Sequence, residues 1–225
     1  MTAETAQEQP PAADDIAATH YLDSDHADIV AFAEDAVAGA RDDAEKGRRL
    51  FGKVRDYIRY EPYGISLEPD DYRASIVLHS ERNWCVPKAV LLTAAARAVG
   101  LPARIGFADV RNHLSSEKLI SRMGTDLFVF HGYVMLYVNG QWYKVSPAFN
   151  AELCERFGVS PLDFDGSSDA LLHAYDGEGR RHMEYVRDRG TYPDLPFDEI
   201  MSTFVETYGR PDATAGETHD RAFHD

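Results

Sequence analysis

The chain has 225 residues, 44% of them hydrophobic, and a formal net charge of −15. This length supports one domain whose core needs no disulfide to hold it. The acidic balance excludes nucleic acid and anionic membrane surfaces as partners, because both require positive charge. Neither a long apolar run nor a secretory leader pattern is present, so no membrane span is expected and a cytoplasmic location is the default. Cys85 and Cys154 are too few for a disulfide framework and follow no metal-ligand spacing, which fits a reducing compartment.

Residues 1–20 are rich in Ala, Glu, Gln and Pro and carry almost no large apolar groups. Burial cannot offset the entropy of ordering such a segment, so a disordered acidic tail is expected there, and another over 210–225. Between them, 21–209 reads as a single catalytic domain. Asp and Ser near position 23 can cap a helix that carries Ile29, Val30, Phe32, Ala33, Ala36 and Val37. A second helix places Leu50, Phe51, Val54, Tyr57 and Ile58 on one face and ends at Pro62 and Gly64. A short helix is expected over 73–79.

From Cys85 to Val99 the residues are apolar nearly all round, which describes a central helix buried on most sides. Pro87 fits its first turn and Gly100 its stop. The period then changes to two. Ala103 to Val110 reads as a strand, Asn112 to Thr125 as a long polar loop, and Leu127 to Val138 as a second strand. Asn139-Gly140 is a hairpin signal, and Gln141 to Val145 returns as a third strand. The remainder reads as loop up to a last helix near 197–208. Helices first and an antiparallel sheet afterwards indicate an α+β fold.

Cys85 opens the central helix, where unpaired N–H groups and the helix dipole favour a thiolate and can hold an oxyanion. A small inert core cysteine is the plainer alternative. His131 lies in the second strand beside Gly132, and a helix-borne thiol facing a strand-borne imidazole is the arrangement a Cys–His pair needs. It could equally be a satisfied core histidine. With Val138 opposite Gln141, His131 falls opposite Ala148, and Ser146 becomes a diagonal neighbour on the same face, able to orient the ring.

The block NWCVPKAVLLTAAARAVGLPARIGF resembles the core of transglutaminase-like proteins of the single-domain bacterial or archaeal type, and FHGYVMLYVNGQWYKVSPAFN resembles the family's His strand, hairpin and Trp strand. The resemblance runs from about Val54 to Asn150. It implies a papain-like fold, a Cys-His-Asp site with Cys85 and His131 in the first two places, and acyl transfer or amide hydrolysis through a thioester. The family commonly has Asp-Pro after the Trp strand, whereas this chain has Ser146-Pro147. A hydroxyl can hold a tautomer but cannot stabilise imidazolium as a carboxylate does.

The expected partner is a peptide, protein or small amide substrate, with no cofactor and no metal. Hydrolysis and transfer stay open, as does oligomeric state. Protein cross-linking is disfavoured because the accessory β-domains of animal transglutaminases are missing. The alternative is a catalytically weak or inactive binding module, suggested by Ser146. Asn83 and Trp84 are candidates to shape the acyl pocket. Arg104 and Lys88 read as structural. Asp109 with His113 lacks a third ligand for a metal site, and the acidic residues Asp163, Asp165, Asp169 and Asp176 lack a calcium-loop pattern.

Overall fold

The computed structural model describes residues 9–113, 117–171 and 183–209. The expected second tail, 210–225, lies outside them. The N-terminal half is helical: α1 (Ala27–Val37), α2 (Asp43–Tyr57) and a single turn, α3 (Ala74–Val77). Asp42 caps α2 by accepting the Glu45 N–H at 2.8 Å, and Leu50, Phe51 and Val54 are its buried face. The cap of α1 is His26, not Asp23. Asp23 is instead buried and takes the Ser75 N–H and hydroxyl and an Arg73 nitrogen, joining the start of the domain to α3.

Two short strands, β1 (Arg59–Tyr60) and β2 (Arg82–Asn83), pair in parallel immediately before the central helix α4 (Cys85–Ala98). Every residue of α4 except its last is buried, as an all-round apolar helix must be. It packs against α1, α2 and α3 and also against the sheet.

The sheet comprises β3 (Ala103–Asn112), β4 (Leu127–Val138), β5 (Gln141–Val145) and β6 (Met183–Tyr192), all antiparallel, in the order β5-β4-β3-β6. Asn139 and Gly140 have φ of 51° and 86°, the left-handed pair that a two-residue hairpin turn requires. Val138 pairs with Gln141 as expected, but the ladder stops at Val134–Val145. His131 therefore has no partner at Ala148. The Ser146 N–H turns away to Ala170 O at 2.8 Å, and Pro147 has no N–H to offer.

Three elements fall where loop was expected. The segment after β3 contains α5 (Glu117–Met123), α6 (Ala151–Arg156) follows β5, and β6 forms a whole sheet edge. A last helix, α7 (Phe197–Tyr208), lies against β4.

The segment expected to be loose as far as residue 20 is held from Gln9 onward. The Trp142 indole donates to Gln9 O at 2.7 Å, and Asp15 forms a two-point pair with Arg104, whose guanidinium lies 4.1 Å from the Trp142 ring centroid. Polar anchors rather than apolar burial fix it. No helix among the described residues is long and apolar enough to cross a membrane.

Candidate active site

Cys85 is the first residue of α4, and no side chain caps that helix. In its first turn Cys85 and Val86 carry N–H groups without an intrahelical partner, and Pro87 carries none. Gly132, in β4, sits directly on this turn. A Cβ there would come within 3.0 Å of Cys85 O, 3.1 Å of the Val86 Cα and 3.2 Å of the Ala89 Cβ. A glycine beside His131 is therefore what lets the strand backbone reach the helix start.

His131 and Ser146 come together as expected. Ser146 Oγ lies 3.3 Å from His131 Nε2 and 3.4 Å from Gly132 O, and all three residues are buried or at the helix contact just described. A hydroxyl has one proton and two lone pairs. With its proton directed to Gly132 O, Ser146 accepts from Nε2–H, and Nδ1 is left as the basic nitrogen. The structure records no hydrogen bond between the Cys85 thiol and the His131 ring.

The electrostatics depart from the sequence expectation. Burial pushes the Cys85 thiol up to about 11, against the opposing pull of the N–H groups of Gly132, Val86 and Cys85 and of the Lys88 ammonium. Burial alone pulls His131 down to about 4. The helix start does favour a thiolate, but the dry surroundings outweigh it. Those surroundings are aromatic. Trp84 packs on Tyr72 and Phe204, and Tyr60, Tyr72 and Tyr208 lie close enough for charge on Cys85 to raise their own pKa values. The resting pair is a neutral thiol and a neutral imidazole.

Lys88, one turn into α4, is fully buried and donates to Arg55 O and Ile58 O at 2.8 and 2.5 Å, closing the C-terminal end of α2. Burial pulls its ammonium down to about 7. Its role is structural, as is that of Arg104. Asn83 is engaged locally: its amide nitrogen donates to Ser80 Oγ and its oxygen accepts the Trp84 N–H. A cavity of about 220 Å³ borders Trp84 and Pro87, on either side of Cys85, and is lined further by Tyr72, Ser80 and Asn83.

The remaining candidates are dispersed. Asp109 pairs with Arg189 and His113 with Glu184. Asp165 holds the N–H groups of Ser167 and Ser168, and Asp169 takes the Lys144 N–H, while Asp176 lies outside the described residues. Among the described residues no group of three or more His, Cys, Asp and Glu could hold a metal. Sequence reading missed Gly132 as the point of strand–helix contact and the tyrosines around Cys85. The Gly following His131 was the one available signal.

No curated protein matches the chain. Among solved structures, it is similar to a "putative cysteine protease" from Cytophaga hutchinsonii, with 16% identity and a TM-score of 0.46, covering 59% of this chain and 40% of that one. It is also similar to a "putative protease" from Parabacteroides distasonis (18%, TM-score 0.38, 55% of this chain and 26% of that one) and to a TGase (19%, TM-score 0.36, 53% and 30%). The chain thus spans less than half of each of these proteins. The family assignment rests on a different finding: the model of the transglutaminase-like superfamily matches residues 30–147, more than half of the chain. The protein belongs to the transglutaminase-like superfamily.

Proposed function

We propose that the chain carries out acyl transfer or amide hydrolysis through a thioester on Cys85, acting on a peptide, protein or small amide in the cytoplasm. The observation that carries this reading is the contact of Gly132 with the first turn of α4, which sets the His131 strand against an uncapped helix start. His131 Nδ1 takes the thiol proton as sulfur attacks the carbonyl carbon, and the N–H groups of Cys85 and Val86 receive the oxyanion. As the carbon–nitrogen bond breaks, the imidazolium returns its proton to the leaving amine. Water or an acceptor amine then releases the acyl group from sulfur. Ser146 holds the tautomer that leaves Nδ1 free. The cavity beside Trp84 offers room for part of the acyl donor.

Because the resting pair is neutral, His131 acts as a general base during attack and does not store a thiolate beforehand. A second reading, a weakly active or inactive binding module, is favoured by one observation: no carboxylate contributes to the state of His131, so nothing stabilises imidazolium once it forms.

The test is intact mass spectrometry after incubation with a panel of amide and thioester probes. A covalent acyl adduct on Cys85, lost in Cys85→Ala and formed much more slowly in His131→Gln, is expected. Adduct at Cys154 alone, or none with any probe, would favour the binding module.

A further inference from the structure

We infer that Asp109 and Arg189, with Tyr208, form a positioning clamp for His131 that acts through the backbone of Phe130; the inference rests on the reading of His131 as the base. Between the cross-strand pairs Ala108–His131 and Val110–Phe128, β4 contains one residue more than β3, so the residues leading into His131 form a β-bulge. Within it Phe130 has φ of 54°, a left-handed conformation that a bulky aromatic residue rarely adopts. A bulge also releases backbone groups from the ladder, and buried N–H groups need replacements.

Two side chains from elsewhere supply them. The Phe130 N–H donates to Asp109 Oδ1 at 3.1 Å, and the Val129 N–H donates to the Tyr208 hydroxyl at 2.7 Å. That hydroxyl in turn donates to Leu127 O at 3.0 Å, so α7 grips the bulge at two points. Asp109, itself 5% exposed, is fixed by Arg189 of β6, with Nε and Nη2 donating to its two oxygens at 2.6 and 3.0 Å. The same guanidinium lies 4.1 Å from the Phe130 ring centroid. Both the amide and the ring of the strained residue are held by one ion pair.

Relaxation of Phe130 to an extended conformation would remove the extra residue from the bulge and slip the strand by one position. Every side chain after it would then exchange faces, and the residue meeting Ser146 and the α4 turn would no longer be a histidine followed by glycine. Burying an ion pair is a poor way to gain stability but a good way to fix register.

The test uses the full chain with Asp109→Asn, which keeps the shape of the side chain and removes the charge facing Arg189. The imidazole of His131 is titrated by NMR, and acylation of Cys85 by a thioester probe is timed. In Asp109→Asn the ring is expected to titrate closer to its ordinary value of about 6.5, and acylation is expected to slow by up to roughly a hundredfold, the scale of a small misplacement of a reacting group. Asp15→Ala, which breaks a distant ion pair, is expected to lower the melting temperature and leave the His131 titration in place. A folded Asp109→Asn variant with the parent's ring titration would overturn the clamp. If that variant does not fold, Tyr208→Phe removes only the hydroxyl on the Val129 N–H and is expected to move the titration in the same direction; an unmoved titration there would overturn the clamp equally. Should His131→Gln acylate as fast as the parent, the base assignment fails, and the ring titration alone still decides the clamp.

Discussion

A thiol at a helix start gains from uncapped N–H groups and loses from dry surroundings, and at Cys85 the loss is larger. The same dryness acts on His131, and the two effects together define the expected pH behaviour. Catalysis by this pair requires a protonated thiol and an unprotonated ring. With the ring lowered to about 4 and the thiol raised to about 11, that form is present between those values. The acid limb of kcat/KM is therefore expected near pH 4, not near the ordinary histidine value, and the plateau should be broad. Ser146→Asp should change this. A carboxylate next to Nε2 favours the charged ring and is expected to raise its pKa by about 1 to 3. The acid limb would move up with it, and acylation would quicken because imidazolium now has a counterion. A pH profile of the two proteins with the same probe checks both statements, and an acid limb that stays in place would show that position 146 does not reach the ring.

At the scale of elements, the strand–helix contact at Gly132 makes a sharp demand. Gly132→Ala would push β4 away from the first turn of α4 by a few tenths of an ångström, because the contact is with backbone atoms that cannot swing aside. A cost of about 1–3 kcal/mol in stability is expected, measurable by urea denaturation, together with a larger proportional loss of Cys85 acylation. Elements that bury a full face were legible in the sequence: α4, β4 and the Asn139-Gly140 hairpin all declare themselves through apolar runs and turn residues. The places of the two candidate residues were legible as well, since Cys85 sits at a helix start and His131 inside a buried strand. What escaped were elements built on other terms. The β6 sequence, MEYVRDRGTY, carries four charged residues in ten because it forms an edge, where charge discourages further strand pairing. The bulge at Phe130 was invisible because nothing local to a phenylalanine favours a positive φ; its causes lie on β3, β6 and α7. The thiol's pKa was misjudged for a similar reason, as the helix start is written locally and the aromatic shell is not.

For the whole molecule, the far face of the sheet carries a second, smaller apolar cluster of Ala108, Val110, Tyr133, Met135, Trp142 and Met183. The segment beginning at Gln9 is anchored at Trp142 through the Arg104–Asp15 pair, whose side chains are only 12% and 9% exposed. Asp15→Ala takes the two-point carboxylate away from the largely buried Arg104 guanidinium, at a cost of about 3 kcal/mol. For a chain of this size Asp15→Ala should lower the melting temperature by roughly 6–12 °C. Thermal unfolding checks this, and a change under about 1 °C would mean that the segment is not an integral part of the domain.

The position of β6 also has a consequence in time. Asp109 and Arg189 are 80 residues apart, whereas β3, β4 and β5 all lie within Ala103–Val145, and contacts of lower sequence separation form first. During synthesis, which proceeds from the N-terminus, the helix bearing Cys85 and the strand bearing His131 emerge well before Arg189 does. A nascent chain ending before β6 holds the thiol and the imidazole but has no cation to fix Asp109. If the clamp positions His131, a growing chain acquires it in two stages, first when Arg189 of β6 emerges and then when Tyr208 of α7 follows.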